Sequence, residues 1–459
     1  MDMLSRVIFL LTLLVIFFLF FLPVKDTDFG WHYRCGHEVL NGNTSCLDHN
    51  IYTFYLSGYK WAYPRLFYDT SLSITFDHFG FIGVSILGAV MMAIAFSLVL
   101  LSFSGPVVLR TILIFISIFG GWSIYSLGYR SQIVSVFFLA VEIFILKKSA
   151  RNQKILWLLP IFFAIWANTH PAFFLRPLIF GLFLAVGKIS PKNIVIFTIS
   201  CFATLVNPYG WRIYVEVLRH LFTPLNTLIA EWVAPGTDQI LLILGSLISL
   251  AVLLIKQKMK PGYLFFLAII FGIMAISARR NLPLYYFVLV PAFLEVIPKF
   301  ANEIMNIITI SLLPIACLIL LTNVVQTISF DTDQKIYCKN DLTTLPCQAI
   351  DYFQNKNGNV FNTYEWGGFL IWKLPNMKFF IDGRMPAWPT ENNKSPYTVF
   401  LEILQTQPGW NETLRKYSTD YIFIAPGTFL DLALDKNKSL EFGWQEEYRD
   451  RTAVIYKKM

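Results

Sequence analysis

Residues 1–34 read MDMLSRVIFLLTLLVIFFLFFLPVKDTDFGWHYR, and they hold two features that decide how the rest is read. Val7–Leu22 is an apolar run just after Arg6. An apolar stretch of roughly 17–25 residues crosses a bilayer. A secretory signal would end in small residues before its cleavage point. Phe21-Leu22-Pro23 is bulky, so the run reads as an uncleaved anchor. Two carboxylates, Asp26 and Asp28, follow at once.

Working outward, apolar runs recur near 81–103, 111–127, 131–146, 155–168, 172–187, 193–207, 239–255, 262–277, 282–297 and 303–326. With the first, this makes a polytopic α-helical membrane protein of about eleven transmembrane helices. Several runs are short for a span, and 155–187 holds either two crossings or a re-entrant hairpin. The composition agrees: 56% of residues are hydrophobic and only 14% charged, where soluble domains carry about 25% charged residues. The formal charge of +8 does not indicate a nucleic-acid partner. The cations sit in short clusters between apolar runs, such as Lys147-Lys148 with Arg151 and Lys154, and Lys256, Lys258 and Lys260. Basic loops mark the cytoplasmic side. With the N-terminus inside, Arg110, both clusters, Lys188, Lys192 and Lys299 all fall inside. That parity places the first loop, 23–79, and everything from 327 onward outside the cytoplasm.

The division expected is therefore 1–326, a transmembrane domain that includes the outer loop 23–79, and 327–459, a soluble domain. In the latter, helical signals at 347–355, 366–373 and 398–416 alternate with strand signals at Val360-Phe361, Lys378–Ile381, Tyr421–Ile424 and Thr452–Tyr456. This is the pattern of a small α/β domain. Cys35 and Cys46 share the first outer loop, and Cys338 and Cys347 the start of the tail. An oxidising compartment permits a disulfide in each place, and free thiols fit the spacing as well.

The polar motifs beside the apolar runs all fall at outer ends: Asp26 and Asp28 with His32, Arg130, Asn168 to His170, Asn207-Pro208, Glu231-Trp232 and Arg279-Arg280-Asn281. Polar groups at membrane depth must line a cavity or pair with one another. Arg130, Arg279 and Arg280 suit phosphate, which guanidinium groups bind through charge-assisted, bidentate contacts. Arg279-Arg280 also reads as an interfacial anchor. Asp26 and Asp28 suit a general base, or ligands for a divalent metal such as Mg or Mn, and they read equally as an acidic turn. His32 and His170 are either zinc ligands or satisfied polar residues at helix ends. Ile381-Asp382-Gly383-Arg384 reads as a strand-end turn holding a local Asp–Arg pair.

An Asp-x-Asp motif after the first span, opening a long outer loop, resembles the GT-C glycosyltransferases, polytopic enzymes that use sugars linked to polyprenyl phosphate. They include protein mannosyltransferases, aminoarabinose transferases and the catalytic subunits of oligosaccharyltransferases. The strings DTDFGWHYRCGHEVL, GYRSQ, WANTHPAF, NPYGWRIY, SARRNLPLY, NTYEWGGFLIW and FFIDGR look like a bacterial GT-C-like group along nearly the whole chain. The resemblance implies a membrane glycosyltransferase of the plasma (inner) membrane and cell envelope, with a polyprenyl-phosphate-linked sugar as donor. The acceptor would be a glycan, lipid or protein on the extracytoplasmic face. Asp28 or Asp26 would be catalytic, with Arg130, Arg279, Arg280, His32 and His170 on the donor side among membrane lipids. Glu365 and Trp366 fall in a stretch loosely similar to an acceptor-binding motif of oligosaccharyltransferases, with one aromatic absent and Glu in place of Asp. Glu231 would be a second acid on the acceptor side or, with Asp26 and Asp28, at a metal. Two other functions need the same arginines: a ligase moving whole glycans from a lipid pyrophosphate, and a non-catalytic flippase for lipid-linked glycans.

Overall fold

The computed structural model describes residues 3–187, 190–227, 229–297, 303–332, 338, 344–389, 394–435 and 438–459. Lys188 and Lys299 lie outside the described residues. The chain divides into two compact units. The first comprises Met1–Val24, Phe79–Val217 and Ile229–Ile328, and the second Lys25–His78, Leu218–Leu228 and Ser329–Met459.

In the first unit every apolar run of the sequence is helical. Among the described residues four helical stretches are long and apolar enough to cross a membrane: Met3–Phe20, Leu66–Ser102, Ala230–Lys256 and Leu312–Ser329. Five shorter apolar ones are Val107–Gly120, Gln153–Ala167, Pro171–Val186, Pro191–Ala203 and Tyr263–Ser277. Ser131–Ser149 and Leu282–Val296 complete the set. Leucine, isoleucine and phenylalanine dominate these helices, so a membrane protein follows from their surfaces, many of whose apolar side chains are exposed. The stretch 155–187 forms two helices that part at Asn168, which ends the first by taking the carbonyl of Ala164 on its own amide. His170 starts the next turn, its Nδ1 accepting from the Ala172 N–H at 3.3 Å.

Two charges lie deep in this unit. Glu142 and Arg176 are both fully buried and face each other, Oε2 to Nε, at 3.5 Å. Phe163 and Trp166 lie within 5 Å of the guanidinium. Removing one partner strands the other charge in an apolar site, which costs about 3–5 kcal/mol. Arg176→Leu is expected to reduce the folded yield and melting temperature sharply in detergent. Glu142→Met with Arg176→Leu is expected to restore most of the loss. A single variant as stable as wild type would contradict this reading.

The second unit holds a mixed five-stranded sheet in the order β2-β1-β3-β5-β4. β1 (Gly358–Asn362) pairs in parallel with β2 (Met377–Phe379) and β3 (Tyr421–Ile424), while β5 (Val454–Lys458) runs antiparallel to β3 and to β4 (Trp444–Arg449). Every residue of β3 is buried, as a central strand covered on both faces requires. β4 is an edge strand with mostly polar, exposed positions, and its Gln-Glu-Glu run hides it from apolar pattern reading. The helical signal at 398–416 resolves into Pro396–Leu404 and Trp410–Lys416, because Pro408-Gly409 interrupts it and Gly409 adopts φ +89°. Ser395 caps the first of these, its Oγ accepting from the Thr398 N–H at 3.1 Å.

Most of the loop 23–79 belongs to this second unit. Phe29–Leu40 is a helix, tied by the Cys35–Cys46 disulfide to the short turn Ser45–Asp48. Cys338 pairs with Cys347. Residues 52–54 add an edge to the sheet: the Phe379 N–H donates to Tyr52 O and the Phe54 N–H to Phe379 O. Leu66–Ser102 is one continuous helix by hydrogen bonding, broken at Gly80, whose φ of +60° only glycine adopts without strain. The break lies at the boundary between the two units.

Candidate functional site

In the second unit three sequence motifs meet. Asp26 Oδ1 accepts the Asp28 N–H at 3.3 Å, so Asp26 closes the turn that presents Asp28. The helix Phe29–Leu40 begins there, with the Phe29 N–H on Asp26 O. One turn on, Trp31 Nε1 donates to Asp28 Oδ1 at 2.9 Å and fixes that carboxylate. The carboxylate rests on Gly383, where any Cβ would overlap Oδ1. Gly30 and Gly368 do the same for the backbone: a Cβ on Gly30 would strike Gly368 O, and one on Gly368 would strike Thr27 O. Asp-Thr-Asp-Phe-Gly, Trp-Gly-Gly and Asp-Gly-Arg are thus locked together at glycine distance.

Asp382 and Arg384 are fully buried and form the local pair expected of the turn, here bidentate, with Nε on Oδ1 at 2.7 Å and Nη2 on Oδ2 at 2.6 Å. His32 does not stand as an isolated ligand. Its Nδ1 lies 2.5 Å from Asp69 Oδ1, and its ring stacks on Trp31. Arg65 contacts the same carboxylate at 3.3 Å and lies over Trp61. Sequence reading missed Arg65 and Asp69, whose only signal was the i, i+4 spacing in Arg-Leu-Phe-Tyr-Asp. Around this core Trp61 Nε1, Trp388 Nε1, Arg65 Nη1 and Arg384 Nη1 are buried donors with no acceptor among the described residues.

Tyr364 adjoins the acids. Burial, and then the negative charges of Asp28, Glu365 and Asp382, hold its phenol well above the ordinary range, so it stays a hydrogen-bond donor at neutral pH. Glu365 is exposed. Trp366 is buried instead, its indole N–H donating to Thr344 O and its ring against Phe423. Gly368→Ala is expected to destabilise this unit by about 2–4 kcal/mol, since neither backbone can yield to a Cβ. Thermal unfolding of the variant checks it, and an unchanged transition would show that the approach is looser than described.

The other expected residues lie in the first unit. Arg130, 8% exposed, precedes the Ser131–Ser149 helix and its Nη1 donates to Glu231 Oε1. Glu231 stands in the turn Ala230–Trp232, and Arg280 lies over the Trp232 ring at 4.4 Å. Arg279 holds the same turn through its backbone N–H on Val233 O at 3.0 Å. Both Arg279 and Arg280 act electrostatically on Glu231. Arg130 pairs with this carboxylate, and Arg279 and Arg280 add positive charge near it. His170 belongs to the helix start described above and also meets Ser135 Oγ at 2.6 Å.

Glu231 is engaged by an arginine. Among the described residues no three His, Cys, Asp or Glu side chains converge as metal ligands.

No family model matches the chain, and no curated protein sequence does. Solved structures do match. An oligosaccharyltransferase, AglB, of the archaeon Archaeoglobus fulgidus, in complex with an inhibitory peptide and a dolichol-phosphate, superposes with a TM-score of 0.61 at 10% identity. The match covers 99% of this chain and 74% of that one. The chain shares the fold of that oligosaccharyltransferase. An oligosaccharyltransferase from A. fulgidus in the apo form gives 0.57 at 12% identity, over 100% and 74% of the two chains. One in complex with Zn and sulfate gives 0.52 at 11%, over 98% and 73%.

Proposed function

We propose that the chain is a membrane glycosyltransferase that moves a sugar from a polyprenyl-phosphate-linked donor to an acceptor on the extracytoplasmic face. The observation that carries this reading is Asp28, held on Gly383 by Trp31 and Asp26 at the start of the first outer loop, in a chain with the fold of oligosaccharyltransferases. The acceptor hydroxyl attacks the anomeric carbon as the bond from that carbon to the phosphate oxygen breaks. Asp28 takes the hydroxyl proton as general base. The phosphate leaves with both electrons of the bond, and Arg130, Arg279 and Arg280 stabilise its charge. Asp26 positions the turn. The buried donors of Arg65, Arg384, Trp61 and Trp388, with Tyr364, supply hydrogen bonds on the acceptor side, where Glu365 also stands.

A neighbouring fold that holds a dolichol-phosphate and an inhibitory peptide supports a lipid-linked donor in general terms. We place eleven crossings on the eleven apolar helices, with the N-terminus cytoplasmic and the tail outside the plasma membrane, on the charge of the connecting loops. The single carboxylate among three arginines suits one phosphate group.

The test is turnover by the full chain in proteoliposomes, given a polyprenyl-monophosphate sugar and, separately, a polyprenyl-pyrophosphate glycan. Release of polyprenyl monophosphate from the first supports the proposal. Turnover of the second alone makes the protein a glycan ligase. Movement of either lipid between leaflets with no chemical change makes it a transporter.

A further inference from the structure

The charged end of the first unit just described has a counterpart. The Ser131–Ser149 helix starts at Arg130 and ends on Lys147 and Lys148. At 1.5 Å per residue its two ends lie roughly 26 Å apart, close to the thickness of a hydrocarbon core. Around the far end lies a cavity of about 730 Å³. Its described lining carries five cationic side chains, Arg110, Lys147, Lys148, Arg151 and Lys260, against one carboxylate, Glu295. The rest is largely apolar, with Leu100, Leu254 and Phe265 among the walls.

Arg110 gives the cavity a fixed centre. It is 8% exposed and its Nη1 donates to Leu100 O and to Phe103 O, the carbonyls that end the Leu66–Ser102 helix. Its Nε is buried without an acceptor among the described residues. Lys147 is held on Glu295 at 2.6 Å and over Phe103 at 4.6 Å. The pair leaves Lys148, Arg151 and Lys260 with no acid among the described lining residues. A buried guanidinium, further cations around it and an apolar wall together match a phosphodiester attached to acyl chains. A water-soluble anion has no use for the apolar part.

We propose that this cavity binds the headgroup of an anionic glycerophospholipid such as phosphatidylglycerol, at the membrane face opposite the Arg130–Glu231 cluster. The phosphate meets Arg110 and Lys147, the outer cations surround the headgroup, and the first acyl carbons lie on Leu100, Leu254 and Phe265. This site does not depend on the transfer reaction proposed above.

The experiment is lipid retention by the full chain. The protein is reconstituted in nanodiscs of phosphatidylcholine with phosphatidylglycerol added, extracted in detergent, and weighed with its bound lipids by native mass spectrometry. The comparison variant carries Lys148→Ala, Arg151→Ala and Lys260→Ala, which leave Arg110 on its helix carbonyls. Wild type is expected to retain phosphatidylglycerol over phosphatidylcholine, and retention is expected to fall as salt rises. The triple variant is expected to bind it on the order of a hundredfold more weakly, with its melting temperature in phosphatidylcholine unchanged. Equal retention of the two lipids, or equal retention by wild type and variant, would overturn the assignment. Displacement of the lipid by inorganic phosphate, beyond the loss that sodium chloride of equal ionic strength causes, would make the site one for free phosphate. Displacement by polyprenyl phosphate would make it a carrier site. Either result overturns it as well.

Discussion

Asp28→Asn is expected to lower sugar transfer by about 10²–10⁴-fold, the range lost when a positioned general base is removed. The amide keeps an oxygen for Trp31 Nε1, which donates to Asp28 Oδ1 at 2.9 Å. Folding and donor binding should therefore persist. Asp26→Asn should cost far less, since an amide oxygen can still accept the Asp28 N–H that Asp26 Oδ1 now takes. Asp26→Ala removes that acceptor and should cost more than the amide. Steady-state transfer rates of the three variants, beside their melting temperatures, order the two acids. A variant Asp26→Asn as inactive as Asp28→Asn, with Asp28→Asn active, would exchange their roles.

The second large effect is expected at Arg280. It lies over Trp232 beside Glu231, and its removal takes positive charge away from the departing phosphate without breaking the Arg130–Glu231 pair. Loss of one such stabilising group costs about 2.7–4 kcal/mol, or roughly 10²–10³ in turnover. Arg280→Gln should lower the maximal rate more than it weakens donor binding, because the added charge appears in the transition state. Arg130→Gln should do more damage, since it also removes the guanidinium that donates to Glu231 Oε1. Arg130→Gln with Glu231→Gln should recover stability without recovering the rate. Rates near wild type for Arg280→Gln would place the leaving phosphate elsewhere.

The membrane helices were legible because an apolar run needs no partner to be recognised, and all eleven runs are helical. The number that cross is a separate matter, since segments such as Pro191–Ala203 fall short of a bilayer by length alone. In the second unit β3 was plain because Tyr-Ile-Phe-Ile is apolar on both faces. β4 was not, because Trp444–Arg449 is an edge strand that shows charge to solvent. The motif residues were visible one at a time, and their grouping was not. Asp28 meets Gly383, and Gly30 meets Gly368, across more than 330 residues of chain. The cause is a glycine's missing Cβ, which carries no sign of what approaches it. Arg65 and Asp69 were passed over for a similar reason, since an Arg–Asp pair at i, i+4 on a helix is ordinary until His32 is found on the same carboxylate. Trp366 shows the limit of a motif resemblance: the tryptophan expected to face an acceptor packs on Phe423.

The central claim is that the phosphate of a lipid-linked donor sits at the Arg130, Arg279, Arg280 cluster. The most direct measurement is photocrosslinking of the full chain with a polyprenyl-phosphate analogue that carries a photoreactive group beside the phosphate, with the labelled peptides mapped by mass spectrometry. Label in the peptides spanning 230–233 and 278–282, reduced in Arg280→Gln and competed by unlabelled polyprenyl phosphate, is the expected result. Label confined to the Lys147–Lys148 end, or label that Arg280→Gln leaves unchanged, would contradict it.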